Sequence, residues 1–316
     1  MPKNLLFPIL LVLMTLWAGA DLIRAQTPAP FVHANGAIDK LKRGKSLAGA
    51  IMYDFSLYAA RRFAESDLDF IILDMEHQAL DFERMQAFFL GLTNKSEIAR
   101  QGHVQQRVAP IVRIPTYGRD QNEFITKQVL DMGAMGIMFP AIETRAQALH
   151  AVQLARYPQA RNSQIQEPRG LRGNGQLPGA WFWGLSAADY ARRADPWPLT
   201  PNGDLLLFLQ IETVEGVRNA DEILSVPGIG VLFVGPNDLS YSLGVPQGHP
   251  DHEAAVQTVL KACLAHKVPC AITVTADNVV ARLKQGFRVV SLPSGGIEWP
   301  MEETLRRART VTGPSK

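Results

Sequence analysis

From residue 46 onward, short and nearly continuous apolar runs alternate with longer amphipathic stretches, and this alternation restricts the fold more than any other feature. The runs are Leu47 to Tyr53, Phe70 to Leu73, Pro110 to Ile114, Gly136 to Phe139, Leu205 to Ile211, Val231 to Val234, Cys270 to Val274 and Val289 to Leu292. Each lacks the apolar–polar alternation of a half-exposed strand. They therefore read as strands covered on both faces, as in a parallel sheet. Between them, Leu57 to Ser66, Phe82 to Leu92, Asp120 to Asp131, Thr144 to Ala155, Gly216 to Ser225, Asp251 to His266 and Asn278 to Gln285 carry apolar residues at helical spacing, with Thr144 placed to act as an N-cap. Repeated strand–helix units predict an α/β fold, a single-domain (β/α)8 TIM barrel over residues 46–316. An open doubly wound sheet is the alternative, but no glycine-rich dinucleotide fingerprint follows any strand.

The bulk properties agree with one large core. The chain has 316 residues, 47% of them apolar and 20% charged, and its formal charge of +2 comes with no basic stripe. Nucleic acid is excluded as a partner on that ground. The first 25 residues read as a signal peptide. Lys3 starts it, Leu5 to Trp17 forms the apolar run, and Ala18-Gly19-Ala20 or Ile23-Arg24-Ala25 supplies the cleavage site. The run is short for a span of roughly 20 residues. A periplasmic or secreted protein is expected, without stable membrane insertion once the signal is removed; an uncleaved anchor is the alternative. Residues 26–45 then form the mature N-terminal segment. Cys263 and Cys270 read as two buried free thiols, or as a disulfide in an oxidising compartment.

Two segments exceed ordinary loop length. One is Thr93 to Val108. The other, near 157–204, carries Trp181, Trp183 and Trp197. Loops of this length are usually functional or associative. The tryptophans could pack the barrel mouth, line a pocket or meet another subunit.

Barrel enzymes carry their chemistry where strands end and loops begin. The second run ends in Asp74-Met75-Glu76-His77, the third in Arg113-Ile114-Pro115, the fifth in Gln210-Ile211-Glu212 and the sixth in Gly235-Pro236-Asn237-Asp238. Glu212 and Asp238 lie one βα unit apart, on strands about 4.8 Å from each other. Two carboxylates so close repel unless a cation joins them. A divalent oxygen-seeking ion such as Mg²⁺ or Mn²⁺ suits the pair, whereas an ordinary salt bridge is the simpler role for either alone. The planar fork of Arg113 suits a carboxylate or an enolate oxygen, or else an internal ion pair with Asp74 or Glu76. His77 is a candidate general base, or a group that orients one. Gly170-Leu171-Arg172-Gly173-Asn174-Gly175 lacks the ending of a phosphate loop, although its glycines permit close backbone approach.

The segments FIILDMEH, VRIP, VLDMGAMGIMFP, PRGLRG, LQIET and VLFVGPNDLSYSLG resemble, in order and spacing, the class II pyruvate aldolases of the 4-hydroxy-2-oxoheptanedioate aldolase type, within the HpcH/HpaI and citrate-lyase-like superfamily. The resemblance covers residues 46–296. It implies that Glu212 and Asp238 hold a divalent metal (Mg²⁺, Mn²⁺ or Co²⁺), with no organic cofactor. It further implies that Arg113 steadies the oxo or enolate oxygen and that His77 is catalytic, with Asp74 and Glu76 supporting the same rim. Asp131 would support the histidine of a neighbouring subunit in a homo-oligomer, by resemblance a hexamer. Gln210, Gly235, Pro236 and Asn237 would line the substrate position, backbone amides from Gly235 to Asp238 holding its carboxylate.

The implied reaction is reversible aldol cleavage of a 4-hydroxy-2-oxoacid to pyruvate and an aldehyde through a metal-stabilised enolate. No lysine follows any apolar run, in keeping with a route that needs no Schiff base. The export signal and the two long segments depart from the family pattern. Two alternatives therefore stand beside this reading. One is another carbon–carbon lyase of the superfamily, such as an acyl-CoA-linked one. The other is an exported barrel that binds oxoacids without turnover.

Overall fold

The computed structural model describes residues 31–117, 123–293 and 299–314; the expected signal segment lies outside them. Nine parallel strands form one sheet: β1 (Leu47–Met52), β2 (Phe70–Asp74), β3 (Ala109–Arg113), β4 (Gly136–Phe139), β5 (Pro196–Trp197), β6 (Leu205–Ile211), β7 (Val231–Val234), β8 (Cys270–Thr273) and β9 (Val289–Leu292). The order β4-β3-β2-β1-β9-β8-β7-β6-β5 is closed by pairing of β4 with β6, which makes an eight-stranded barrel and leaves the two-residue β5 on its outside. Closure excludes the open doubly wound sheet. Every residue of β1 to β4, β6, β7 and β9 is buried, as continuous apolar runs require.

The helices are α1 (Gly36–Lys42), α2 (Leu57–Glu65), α3 (Phe82–Leu92), α4 (Lys95–Gln101), α5 (Glu123–Asp131), α6 (Arg145–Ala155), α7 (Leu177–Trp183), α8 (Ala187–Arg193), α9 (Val214–Arg218), α10 (Ala220–Leu224), α11 (Pro236–Leu243), α12 (Pro250–His266), α13 (Val279–Gln285) and α14 (Trp299–Thr312). Side chains set several of their starts. Ser56 caps α2, Asp81 caps α3, and Thr144 forms a reciprocal capping box with Gln147 at α6.

Several expected bounds shift. The first strand stops at Met52, the third runs from Ala109 to Arg113, and the eighth stops at Thr273, each where its ladder partners run out. The single helix expected over Gly216 to Ser225 is two, because Asn219 leaves helical geometry and donates to Glu143 O at 2.7 Å. The compact unit begins at Val32, ahead of residue 46. There Asn35 caps α1 and donates to the carbonyls of Met135 (3.0 Å) and Asp204 (3.2 Å), so this segment is fastened beneath the barrel. Cys263 and Cys270 are buried free thiols.

The long segments are not structureless. Thr93 to Val108 contains α4, and 157–204 contains α7, α8 and β5. Trp183 is buried, donates from Nε1 to Gly133 O at 2.8 Å and meets Tyr190 edge-on at 4.8 Å. Tyr190 donates to Leu130 O at 2.7 Å. The insert thus clamps the end of α5 that leads into β4, at the N-terminal end of the strands. Arg193 continues the clamp by donating to Asp204 Oδ2 at 2.6 Å and to Val32 O at 2.9 Å. Trp181 stays exposed.

The closing seam is tight. A β-carbon at Gly136 would lie 2.2 Å from the backbone oxygen of Leu206 and 2.5 Å from Ile111 Cδ1. Gly136→Ala must therefore push β4 off β6, and it is expected to cost about 2 kcal/mol in denaturant unfolding. Wild-type stability in that variant would show that the seam yields without strain.

Candidate active site

Strand register builds the first half of the site. Asp74 ends β2 and Arg113 ends β3, and the two are directly paired in the ladder. Arg113 consequently donates from Nε to Asp74 Oδ1 at 2.9 Å and from Nη2 to Asp74 Oδ2 at 2.6 Å, a bidentate pair. Its Nη1 lies 3.3 Å from Glu76. Burial alone would weaken the Arg113 charge, but the bonds and charge of Asp74, with Glu76 and Tyr53 nearby, outweigh it and hold the guanidinium above its ordinary range. The internal ion pair foreseen for Arg113 is therefore present, and the same side chain still reaches the rim. His77, half exposed, places Nδ1 3.1 Å from Asp74 Oδ2 and 3.0 Å from Arg113 Nη2. Nδ1 thus faces an acceptor, Asp74, and a donor, Arg113; in the tautomer with its proton on Nδ1 and directed to Asp74, the ring keeps a lone pair on Nε2. Thr116 donates to Glu76 at 3.1 Å and fixes that carboxylate.

The second half lies across the mouth. Glu212 follows β6 and is buried. It accepts from Ala141 N at 2.9 Å and from the Gln210 amide. Ala141 holds φ at 53°, a left-handed geometry that is uncommon outside glycine and that aims its N–H at the carboxylate. Burial, with the charges of Asp238 and Glu76 beside it, pushes the Glu212 carboxyl up to about 8, against the opposing pull of Gln210 and Ala141. Burial likewise raises Glu76 despite Arg113 and His77. Gly235 cannot be larger, because a β-carbon there would meet Glu212 Oε2 at 2.5 Å.

Asp238 sits in the first turn of α11 rather than on a strand, and it is exposed. The amide donors expected from Gly235 to Asp238 reduce to two. Gly235 N donates to Ile211 O at 3.0 Å and Pro236 has no N–H, which leaves the first-turn amides of Asn237 and Asp238. Asn237 Oδ1 accepts from Gln247.

Asp131 is not brought to His77 within one chain. It ends α5, near the start of β4, where Arg172 donates to its Oδ1 from Nη2 at 2.9 Å and Lys127 pairs with its Oδ2. The glycine-flanked Arg172 is thus a buried partner of Asp131 and stacks on Tyr157 at 4.3 Å, away from the rim. Ala141, Thr116 and Tyr53 were not foreseen from sequence. Thr116, just beyond the Arg113-Ile114-Pro115 strand end, offered a positional signal; the backbone twist at Ala141 offered none.

The donor set fits a divalent cation. The negative charges of Asp238 and Glu76 both act against ionisation of Glu212, and Gln210 Oε1 is buried without a partner among the described residues. Asp74, Glu76 and His77 also bring ligand atoms within 4.8 Å of one another. Arg113 already neutralises that cluster, so the unmatched charge at Glu212 and Asp238 has more to gain from an ion.

A family model described as HpcH/HpaI aldolase/citrate lyase matches residues 54–297. The hydroxypyruvate/pyruvate aldolase of Paraburkholderia phytofirmans is 30% identical over 277 residues, covering 86% of this chain and 95% of the relative. The 2-keto-3-deoxy-L-rhamnonate aldolase of Klebsiella pneumoniae is 30% identical over 224 residues, covering 70% and 72% respectively. A crystal structure of an HpcH/HpaI aldolase/citrate lyase family protein from Burkholderia cenocepacia superposes with a TM-score of 0.69 at 29% identity, over 88% of this chain and 99% of that one.

The raised Glu212 carboxyl has a consequence for stability. The folded protein keeps its proton up to about pH 8, whereas the ordinary value is 4.5. This contribution to stability is therefore full below pH 4.5 and lost as pH rises toward 8. The metal-free protein should melt at progressively lower temperature across that window, and Glu212→Gln should flatten the slope. Manganese should raise the melting temperature most at the alkaline end. A slope unchanged in Glu212→Gln would assign the effect to other groups.

Proposed function

Because the chain belongs to the HpcH/HpaI aldolase/citrate lyase family, and is a carbon–carbon lyase, we propose that its rim catalyses reversible aldol cleavage of a 4-hydroxy-2-oxoacid to an aldehyde and pyruvate or its hydroxylated analogue. The observation that carries this reading is the pairing of a cation-seeking carboxylate group, Glu212 with Asp238, with the Asp74–Arg113–His77 relay on the same mouth. The Paraburkholderia relative is named for hydroxypyruvate and pyruvate and the Klebsiella relative for 2-keto-3-deoxy-L-rhamnonate, which supports an oxoacid aldolase without fixing the 4-hydroxy-2-oxoheptanedioate type.

Glu212 and Asp238 would hold the divalent ion, which when bound supplies positive charge to polarise the 2-oxo group. The Asn237 and Asp238 amides hold the substrate carboxylate at the positive end of α11. Arg113, fixed by Asp74, presents its remaining donor capacity to the oxygen that gains charge at C2. His77 takes the proton of the 4-hydroxyl at Nε2 while Asp74 holds its other nitrogen. Cleavage of the C3–C4 bond then releases the aldehyde and leaves its electron pair in the enolate of the three-carbon product, and the proton held at His77 passes to C3, directly or through water, to give the oxoacid.

A homo-oligomer belongs to the same reading. Leu177, 71% exposed on α7, lines one surface cavity with Asp131, the residue expected to serve a neighbour's site, and Trp181, 67% exposed, lies one turn further along α7. An extracytoplasmic location rests on the signal-like first 25 residues.

Exchange of the pyruvate methyl protons in D₂O, followed by NMR, tests the metal role. It should stop in a chelator and return with Mg²⁺, Mn²⁺ or Co²⁺; full exchange in the chelator would remove the ion from the reaction. Asp238→Ala should lose both manganese binding and turnover. His77→Ala should keep manganese, read by calorimetry, yet lose aldol turnover by at least about 100-fold. Unchanged turnover in His77→Ala would remove the histidine from the proton step.

A further inference from the structure

A cavity of about 530 Å³ opens on the same rim, lined by Tyr53, Asp54, Ser56, Gln78, Asp81 and Arg84 over an apolar wall that includes Phe55 and Leu57. Apart from Tyr53, which stands near Arg113, none of these residues has a role in the site described above. Tyr53 to Leu57 follow β1, Gln78 directly follows His77, and Asp81 and Arg84 lie at the start of α3. Consecutive Cα atoms are about 3.8 Å apart, so the mouth of the cavity lies within one residue of the proposed base. Tyr53, the residue after β1 on the rim, lines the cavity and stands near Arg113.

We propose that this cavity is the aldehyde subsite and that it takes an uncharged, hydroxylated aldehyde rather than one ending in a carboxylate. The inference rests on the aldol reading given under Proposed function. In the synthetic direction, C3 of the pyruvate enolate bonds to the aldehyde carbon. The carbonyl π pair moves to the aldehyde oxygen, and that oxygen takes the proton from His77. The rest of the aldehyde must extend away from His77 onto neighbouring rim, and the cavity between the first two βα units is adjacent to it.

Charge decides the class. The lining carries two carboxylates and one guanidinium. Arg84 is already engaged by Asp81, with Nε 3.3 Å from Oδ2 and the backbone N–H capped at 2.9 Å. Asp54 accepts from Ser56 N at 2.8 Å, and no cation pairs with it among the described residues. A terminal carboxylate would meet a net negative wall without a free cation among the described lining residues. Hydroxyl groups find acceptors at Asp54 and Asp81 and donors at Ser56, Gln78 and Tyr53. The volume lies within the range of small-molecule sites.

The test uses the manganese-loaded enzyme with pyruvate and three aldehydes: glycolaldehyde, propanal and succinic semialdehyde. The kcat/KM for glycolaldehyde should exceed each of the others by about tenfold or more. Asp54→Asn, which keeps an acceptor for Ser56 N–H, should narrow the glycolaldehyde-to-succinic-semialdehyde ratio about fivefold, and Arg84→Gln should widen it. A purely structural effect would move all three aldehydes alike. Equal or better use of succinic semialdehyde, or a ratio that neither variant moves, overturns the proposal. Pyruvate methyl exchange without aldehyde separates the two levels. Exchange with the wrong aldehyde preference defeats only the subsite, whereas no exchange defeats the aldol reading and the subsite with it.

Discussion

Pairing of Gly136 to Phe139 with Leu206 to Leu209 joins the two halves of the sheet, and because every strand is parallel it gathers all the C-terminal strand ends onto one rim. The site depends on that closure. Asp74 and Arg113 come from the β2–β3 side, whereas Glu212 and Asp238 come from the β6–β7 side. The Ala141 amide that supports Glu212 issues from the end of β4, and Ile142 N donates to Gln210 O at 2.9 Å across the same seam. In an open sheet these two halves would lie on opposite edges.

On that rim the charges are divided unequally. Arg113 answers Asp74 with two hydrogen bonds and stands close to Glu76. That buried pair would be costly to break, since removing either partner leaves an uncompensated charge. It makes a rigid platform for His77. Across the mouth, Glu212 and Asp238 have no such answer among the described residues, and burial then favours the protonated form of Glu212. One side is internally neutral and orients a proton acceptor; the other is short of positive charge and invites a cation. An aldolase needs these two properties next to each other, because the proton leaves one end of the breaking unit while negative charge develops at the other.

The opposite end of the barrel carries the parts that hold the fold. Asp204 ties His33, Ala34 and Arg193 together, and Trp183 and Tyr190 clamp the end of α5. The long insert therefore adds mass beneath the barrel and leaves the mouth open. Its exposed Leu177 and Trp181 face outward from this lower region. Stability and chemistry are thereby separated along the strand axis, the arrangement that lets one barrel scaffold carry different rim residues.

The strands were legible in the sequence because a strand buried on both faces must be apolar throughout, and four of the eight expected runs end at the observed residues. The rim residues Asp74, His77, Arg113, Glu212 and Asp238 were legible for a related reason: a charged group directly after a buried run falls at the strand end by geometry. The Asp74–Arg113 bond needed the register, which no local pattern contains. Asp238 moved from a strand end to a helix turn because Pro236 starts α11 immediately after Gly235. The cavity beside His77, the left-handed Ala141 and the place of the tryptophan insert were decided only by tertiary structure. Each arises where segments far apart in the chain meet, and the chain's local preferences cannot specify which partners will be there. What the sequence determined by itself was the order of the apolar runs and the polar residues that punctuate them. Packing decided which of those residues would neutralise one another and which would be left facing an open mouth with charge unmatched.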